Sequence, residues 1–171
     1  MPAAHGVKTG QTSGLYRNTA TGASKYGTPT WALSDHVRDL TPSQPWDMAD
    51  TSIRATPVKL YHPTQKEMSF TAMVRCDDVA ADYQAFRTAA ENGTVMDILV
   101  LDGLISVEGS RGFRAYFFVS ETGQDQSIGA TLYSQFEFKP GFGELDDGSP
   151  AYPKIAVAGS SSAVTFTDPT R

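Results

Sequence analysis

Hydrophobic and polar residues alternate with a period of two along several stretches of the chain, the mark of strands with one buried face. The clearest run covers 127–139, where Ile128, Ala130, Leu132, Phe136 and Phe138 share one side. Thr131, Tyr133, Gln135, Glu137 and Lys139 take the other. Residues 111–121 repeat the pattern with Phe113, Ala115, Phe117 and Val119, while Tyr116 and Phe118 make the second face partly apolar, so that face needs cover. Residues 66–75 align Met68, Phe70, Ala72 and Val74, and 95–101 (VMDILVL) is apolar on nearly both faces, as a central strand is. Shorter strands are predicted at 30–40, 58–61, 154–157 and 163–167.

One segment changes period. Over 78–92, Val79, Tyr83, Phe86 and Ala90 fall at offsets of four, seven and eleven, which predicts a helix with a single apolar stripe lying across a sheet. Asp77 or Asp78 can accept an N-terminal backbone N–H and oppose the helix dipole. Asn92-Gly93 closes the helix, because Gly takes the left-handed conformation readily.

Residues 41–57 (TPSQPWDMADTSIRATP) follow neither period and contain three prolines. A loop this long in a compact domain is usually functional or disordered. Its large apolar side chains, Trp46, Met48 and Ile53, are either tucked onto their own domain or inserted into a neighbour. Gly, Pro, Ser and Thr crowd both ends, which divides the chain into an N-terminal arm (1–29), a β domain (30–140) and a C-terminal extension (141–171).

Composition narrows the chemistry. With 40% hydrophobic and 19% charged residues the 171-residue chain has material for one core. A formal charge of −5 and no basic stripe argue against a protein that grips phosphate backbones. The single cysteine, Cys76, excludes a disulfide framework within the chain. No apolar run approaches the length of a bilayer span, and the first residues lack the pattern of a secretory signal, so synthesis in the cytoplasm without membrane insertion is expected.

No residues fall into a specific reactive constellation. His5, His36 and His62 lie outside any metal-binding spacing, and the run from Gly141 to Gly148 has neither a dinucleotide fingerprint nor a phosphate-loop Lys. Asp146 and Asp147 lack the alternation of a calcium loop, and no Gly-x-Ser-x-Gly elbow occurs. No catalytic site, metal or cofactor is expected.

In order, these features resemble the major tail tube proteins of long-tailed phages and of related gene-transfer particles. The likeness begins at WALSDHVRDLTPS (Trp31 to Ser43), continues through Arg54 and the strand ending at Arg75, and then takes in the helix with Asp82 and Phe86 and the strand 95–101. It ends in the two long strands, the second closing on Phe-Glu-Phe-Lys-Pro at Pro140. It covers about 15–140 and is one of element order; the proline-rich loop and the tail beyond Gly141 depart from the simplest members.

The resemblance implies a mainly β (α+β) domain, sandwich or barrel-like, with one flanking helix. It further implies six-membered rings that stack into a conduit for DNA in a virion tail. Partners would be sister copies, other tail proteins such as tape measure and terminator, and DNA in non-specific transit. The long loop, with Trp46, Met48, Ile53 and Arg54, becomes the candidate subunit interface. The polar face bearing Gln135 and Glu137 becomes the candidate lumen lining. Ring closure has a physical rationale, since long strands in a small open sheet leave edges that must be paired or blocked. Two competing readings follow from the same residues: another ring component of the tail, baseplate or a secretion tube, and a small-ligand β-barrel lined by Phe113, Phe117, Leu132 and Phe136.

Overall fold

A computed structural model describes residues 13–23, 25–52, 59, 61–125, 131–160 and 163–169. In chain order the elements are β1 (Gly14–Asn18), β2 (Trp31–Leu33), β3 (Val37–Ser43), β4 (Trp46–Asp50), β5 (Tyr61–Lys66), β6 (Ser69–Arg75), α1 (Ala81–Asn92), β7 (Val95–Leu101), β8 (Arg111–Asp125), β9 (Tyr133–Pro140), β10 (Lys154–Ala158) and β11 (Val164–Thr167). Among the described residues nine strands form one antiparallel sheet along the path β2-β1-β7-β8-β9-β6-β3, with β10 and β11 branching off, and β4 and β5 pair only with each other.

The branch is made by β8. Its 15 residues are long enough to serve two neighbours on one side: Phe117 to Asp125 pair with β9, and Arg111 to Arg114 pair with β10. β9 and β10 therefore occupy one line beside β8, interrupted by the excursion 141–153. From that line the sheet divides, one branch running through β6 to β3 and the other to β11.

Between the branches lies the core the alternation foretold. Phe70, Phe86, Phe113, Phe117, Phe136 and Phe138 are each at most 1% exposed. Phe70 stacks on Phe138 with ring centroids 4.2 Å apart and meets Phe117 edge-on at 5.0 Å. Burying each such ring contributes about 1.5–3 kcal/mol relative to leaving it in water. Phe113, Phe117 and Phe136, read above as the possible wall of a ligand cavity, are packed against other rings instead. Leu132 lies just before β9 and is 37% exposed.

The helix packs by Tyr83, Phe86 and Ala89 and stops where expected, with Gly93 at φ +63° donating its N–H to Ala89 O. Its start differs. Asp77 accepts the Val79 N–H at 3.0 Å, a local turn that delays the helix to Ala81 and leaves Val79 93% exposed instead of on the stripe. Asp77 and Asp78 thus lie ahead of the helix, whose N-cap, Ala80, has no side-chain bond, while Asp82 supplies the negative charge of the first turn.

The larger corrections concern the segments read as irregular. The strand expected over 30–40 is two, β2 and β3, separated by a turn. β3 then continues through Thr41 and Pro42 to Ser43, and β4 begins at Trp46, so 41–50 is largely strand where the proline count suggested loop, and 53–57 lie outside the described residues. Pro42 is tolerated because β3 is an edge strand. Both flanks also feed the main sheet: β1 pairs with β2 and β7, and β10 pairs with β8. Sheet and core therefore extend into both the arm and the extension drawn above.

Candidate functional site

The sheet face opposite the phenylalanine core carries a buried charge pair. β7 and β8 present Asp97 and Arg114, whose side chains are 6% and 3% exposed. Arg114 Nε and Nη2 donate to the two Asp97 oxygens at 2.9 and 2.6 Å, a bidentate arrangement. The guanidinium lies 3.8 Å from the Tyr26 ring centroid, with Phe166 at 4.9 Å and Trp31 at 5.1 Å. β2 and β11, at opposite ends of the sheet, thereby meet over one cation, and Trp31 and Phe166 are in contact at 6.3 Å.

This pair holds the strap 19–30 against the sheet. Arg114 Nη2 also donates to Tyr26 O at 2.9 Å. Asn18 Nδ2 donates to Asp97 Oδ2 and to Lys25 O, both at 2.8 Å. Asn18 Oδ1 accepts the backbone N–H groups of Ala20 and Thr30 at 3.0 Å. From outside, Asp146 accepts the N–H groups of Tyr26 at 2.8 Å and Gly27 at 2.6 Å. Tyr26 stacks on Tyr116 at 5.9 Å, and the close approach of Gly143 to the Tyr116 ring leaves no room for a side chain at that position. The cover needed by the second face of β8 thus comes from both flanks. Burial pushes the hydroxyls of Tyr16, Tyr26 and Tyr116 above the ordinary tyrosine value. The charge pair escaped the sequence reading, although an Asp inside VMDILVL and an Arg inside FRAYFF were its signal.

His36 is half-buried and held by its neighbours. Its Nδ1 lies 3.0 Å from Asp82 Oδ1, its backbone N–H donates to Asp82 Oδ2 at 3.3 Å, and Nε2 is 4.0 Å from Asp77. These contacts tie the β2–β3 turn to the start of α1. His62 lies exposed on β5, and His5 lies outside the described residues. Cys76 Sγ is 3.0 Å from Ser134 Oγ. Among the described residues no three His, Cys, Asp or Glu side chains are grouped to hold a metal ion.

The surfaces left open differ in kind from this closed face. Among the described residues β3 pairs only with β6, so one of its edges is free. β4 is exposed at every position, and β5 at all but Lys66. Two strands alone are at best marginally stable in water. Of the interface candidates, Trp46 and Met48 lie two apart on β4, on the same face as Tyr61, which the sequence reading passed over; the three are 38, 57 and 53% exposed. Ile53 and Arg54 lie outside the described residues. Gln135 and Glu137 sit on the outer face of β9 opposite Met73 and Thr71, and the Glu137 carboxylate is 3.3 Å from Lys139 Nζ.

No family model matches the chain, and no curated protein matches it in sequence. Solved structures do. The subunit from the tail of an empty gene transfer agent particle refined with sixfold symmetry superposes with a TM-score of 0.59 at 13% identity, over 94% of this chain and 99% of that one. The fold is a tail-tube fold. The subunit of the SPP1 tail tube gives 0.62 at 8% identity, over 91% of this chain and 82% of its own. A chain from the virion of a native gene transfer agent particle gives 0.55 at 12% identity, over 94% and 99%. The correspondence with the tail-tube fold therefore reaches beyond the 15–140 span of the sequence resemblance.

Proposed function

We propose that the chain is the repeating structural subunit of a virion tail tube, closing into sixfold rings that stack into a conduit for DNA. The observation that carries the reading is the near end-to-end correspondence with a subunit of a sixfold-symmetric tail. Two features of the chain support it. The seven-residue edge β3 offers a row of backbone groups suited to another strand, and a cyclic head-to-tail contact satisfies it in every copy. The β4–β5 hairpin, with Trp46 and Met48 in the open, acts as the joint between copies.

In the ring, the outer face of β9 with Gln135 and Glu137 lines the lumen. The Glu137–Lys139 pair keeps that face free of net positive charge, so phosphates pass without being held. Other tail proteins, such as tape measure and terminator, would cap and fill the tube.

Negative-stain microscopy of the purified chain tests the reading: rings or hollow rods are expected, and a monodisperse monomer at high concentration overturns it. Removal of 46–66 sharpens the test. Glu67 N–H already donates to Pro45 O at 3.0 Å, so the cut ends can be joined by a short turn. The shortened chain is expected to melt like the intact one and to form no rods.

A further inference from the structure

The hairpin needs a seat, and the chain carries one. Phe142 stands 70% exposed at the start of the excursion 141–153, beside Val95 at 38% and Phe118 at 41%. Val95 and Phe118 are direct partners across the β7–β8 ladder, and Gly141 packs on Val95. The loop holding Phe142 is fixed on both sides, Gly141 N–H donating to Tyr116 O and Ala151 N–H to Gly143 O, each at 2.8 Å. A cleft of about 390 Å³ opens between Phe142 and Val95, with Lys25 and Glu144 on its walls. A rigid aromatic held in water beside the exposed Val95 and Phe118 is costly in isolation and pre-organised for a partner.

Sheet topology says which partner. The row Pro42–Phe70–Phe138–Val119 crosses the sheet from the base of the hairpin to the residue next to Phe118, and Val95 follows on the next strand. Hairpin and cleft thus lie at opposite ends of one transverse row, four ladder spacings or about 19 Å apart. A copy placed laterally, head to tail, brings the hairpin of one against the cleft of the next.

The surfaces match in chemistry as well. The hairpin face reads Lys66, Trp46, Met48, Tyr61, Asp50: an apolar strip with a cation at its base and an anion near its tip. The cleft presents Val95, Phe142 and Leu145 together with two anions, Glu144 and Asp146, and one cation, Lys25, so the cation at the hairpin base has carboxylates to meet. We infer that the Trp46–Met48–Tyr61 face of each copy seats on the Phe142–Val95–Phe118 patch of its lateral neighbour. The inference rests on the ring reading and names the receiving surface within it.

The test uses the full chain in a Cys76→Ser background, with Met48→Cys and Phe142→Cys carried on separate chains that are mixed, assembled and oxidised. Disulfide-linked dimers of one Met48→Cys chain with one Phe142→Cys chain are expected, and the doubly substituted chain should give a ladder up to the ring size. Phe142→Asp should abolish rods without moving the melting temperature. Rods that form without any such link, a link found only within single chains of the double variant, or Phe142→Asp chains that polymerise like wild type overturn the seat while leaving the tube intact. A wild-type chain that never polymerises removes the tube reading itself.

Discussion

The strap 19–30 and the hairpin 46–66 look alike on paper, each a polar, turn-rich excursion that leaves the sheet and returns to it. One is shut and the other open. The strap contributes Tyr26 and little other apolar bulk, yet six hydrogen bonds from Asn18, Arg114 and Asp146 reach its backbone at Ala20, Lys25, Tyr26, Gly27 and Thr30. The hairpin carries more apolar surface, Trp46, Met48 and Tyr61, and exposes it. Docking within the chain is decided here by polar side chains aimed at backbone donors and acceptors, since an excursion without such anchors has nothing to offset its ordering entropy.

The sharpest way to break the contrast is to remove the anchor. Asp97→Ala leaves the Arg114 guanidinium buried and unpaired, and stability should fall by about 3–5 kcal/mol. Urea unfolding measures it, and amide exchange over 19–30 should rise with it. Replacing both partners, Asp97→Leu with Arg114→Met, should recover most of that loss because no lone charge remains. If the single substitution costs less than about 1 kcal/mol, the aromatic rings rather than the ion pair hold the strap.

Removing the outer clip is milder. Asp146→Ala takes away two charge-assisted bonds to Tyr26 and Gly27 at an exposed site, for an expected loss of about 1 kcal/mol. The telling readout is local: exchange at the Tyr26 and Gly27 amides should accelerate while the core strands keep their protection. Uniform acceleration would mean that the clip supports the whole sheet.

Alkaline pH probes the same face without a mutation. Burial raises Tyr16, Tyr26 and Tyr116 above the ordinary value of 10.0, so the unfolded chain loses these protons first. Their contribution to stability is complete below that value and is lost as pH rises through the folded values. Urea midpoints should therefore fall on the alkaline side of 10. A tyrosinate absorbance scan should show Tyr16, Tyr26 and Tyr116 ionising above the ordinary value, and their ionisation at or below it would count against the closed face.

The contrast also marks what the sequence disclosed. Where one face meets a core the alternation is legible, and Phe70, Phe117, Phe136 and Phe138 went to the interior as their spacing required. The helix end was legible because only Gly93 suits a left-handed residue there. Its start was not, because Asp77 chose the Val79 amide over a cap. The strap stayed hidden because its order comes from Asp97 and Arg114, far away in sequence and themselves disguised inside apolar strands. β4 stayed hidden because a two-stranded element with both faces in water has no alternation to display. Trp46 stood out as an interface candidate by its size within a proline-rich segment, whereas the proposed seat at Phe142 depends on an excursion whose path no periodicity encodes.

Lumen chemistry gives the next, subtler test. Glu137→Lys reverses the sign at the outer face of β9, where Lys139 already lies 3.3 Å away, and adds two units of positive charge per copy. Rods should still form, because side chains on that face are not in the ladder. They should now retain short DNA duplexes at low salt and release them as salt rises, the signature of counterion release. Unaltered retention would place β9 away from the channel.

The smallest expected change is the most discriminating. Met48→Ala on the isolated chain should alter stability by no more than about 0.5 kcal/mol, the usual span for surface positions without structural partners. Met48 is 57% exposed on a hairpin that no core residue supports, so thermal unfolding should not register its loss. Assembly should, because the side chain enters a cleft only when a neighbour is present, and rods should appear only at higher chain concentration. A Met48→Ala chain that melts like the parent yet assembles only at higher concentration would establish that the open hairpin serves the ring and not the subunit; one that melts early would mean that the hairpin already packs on its own domain.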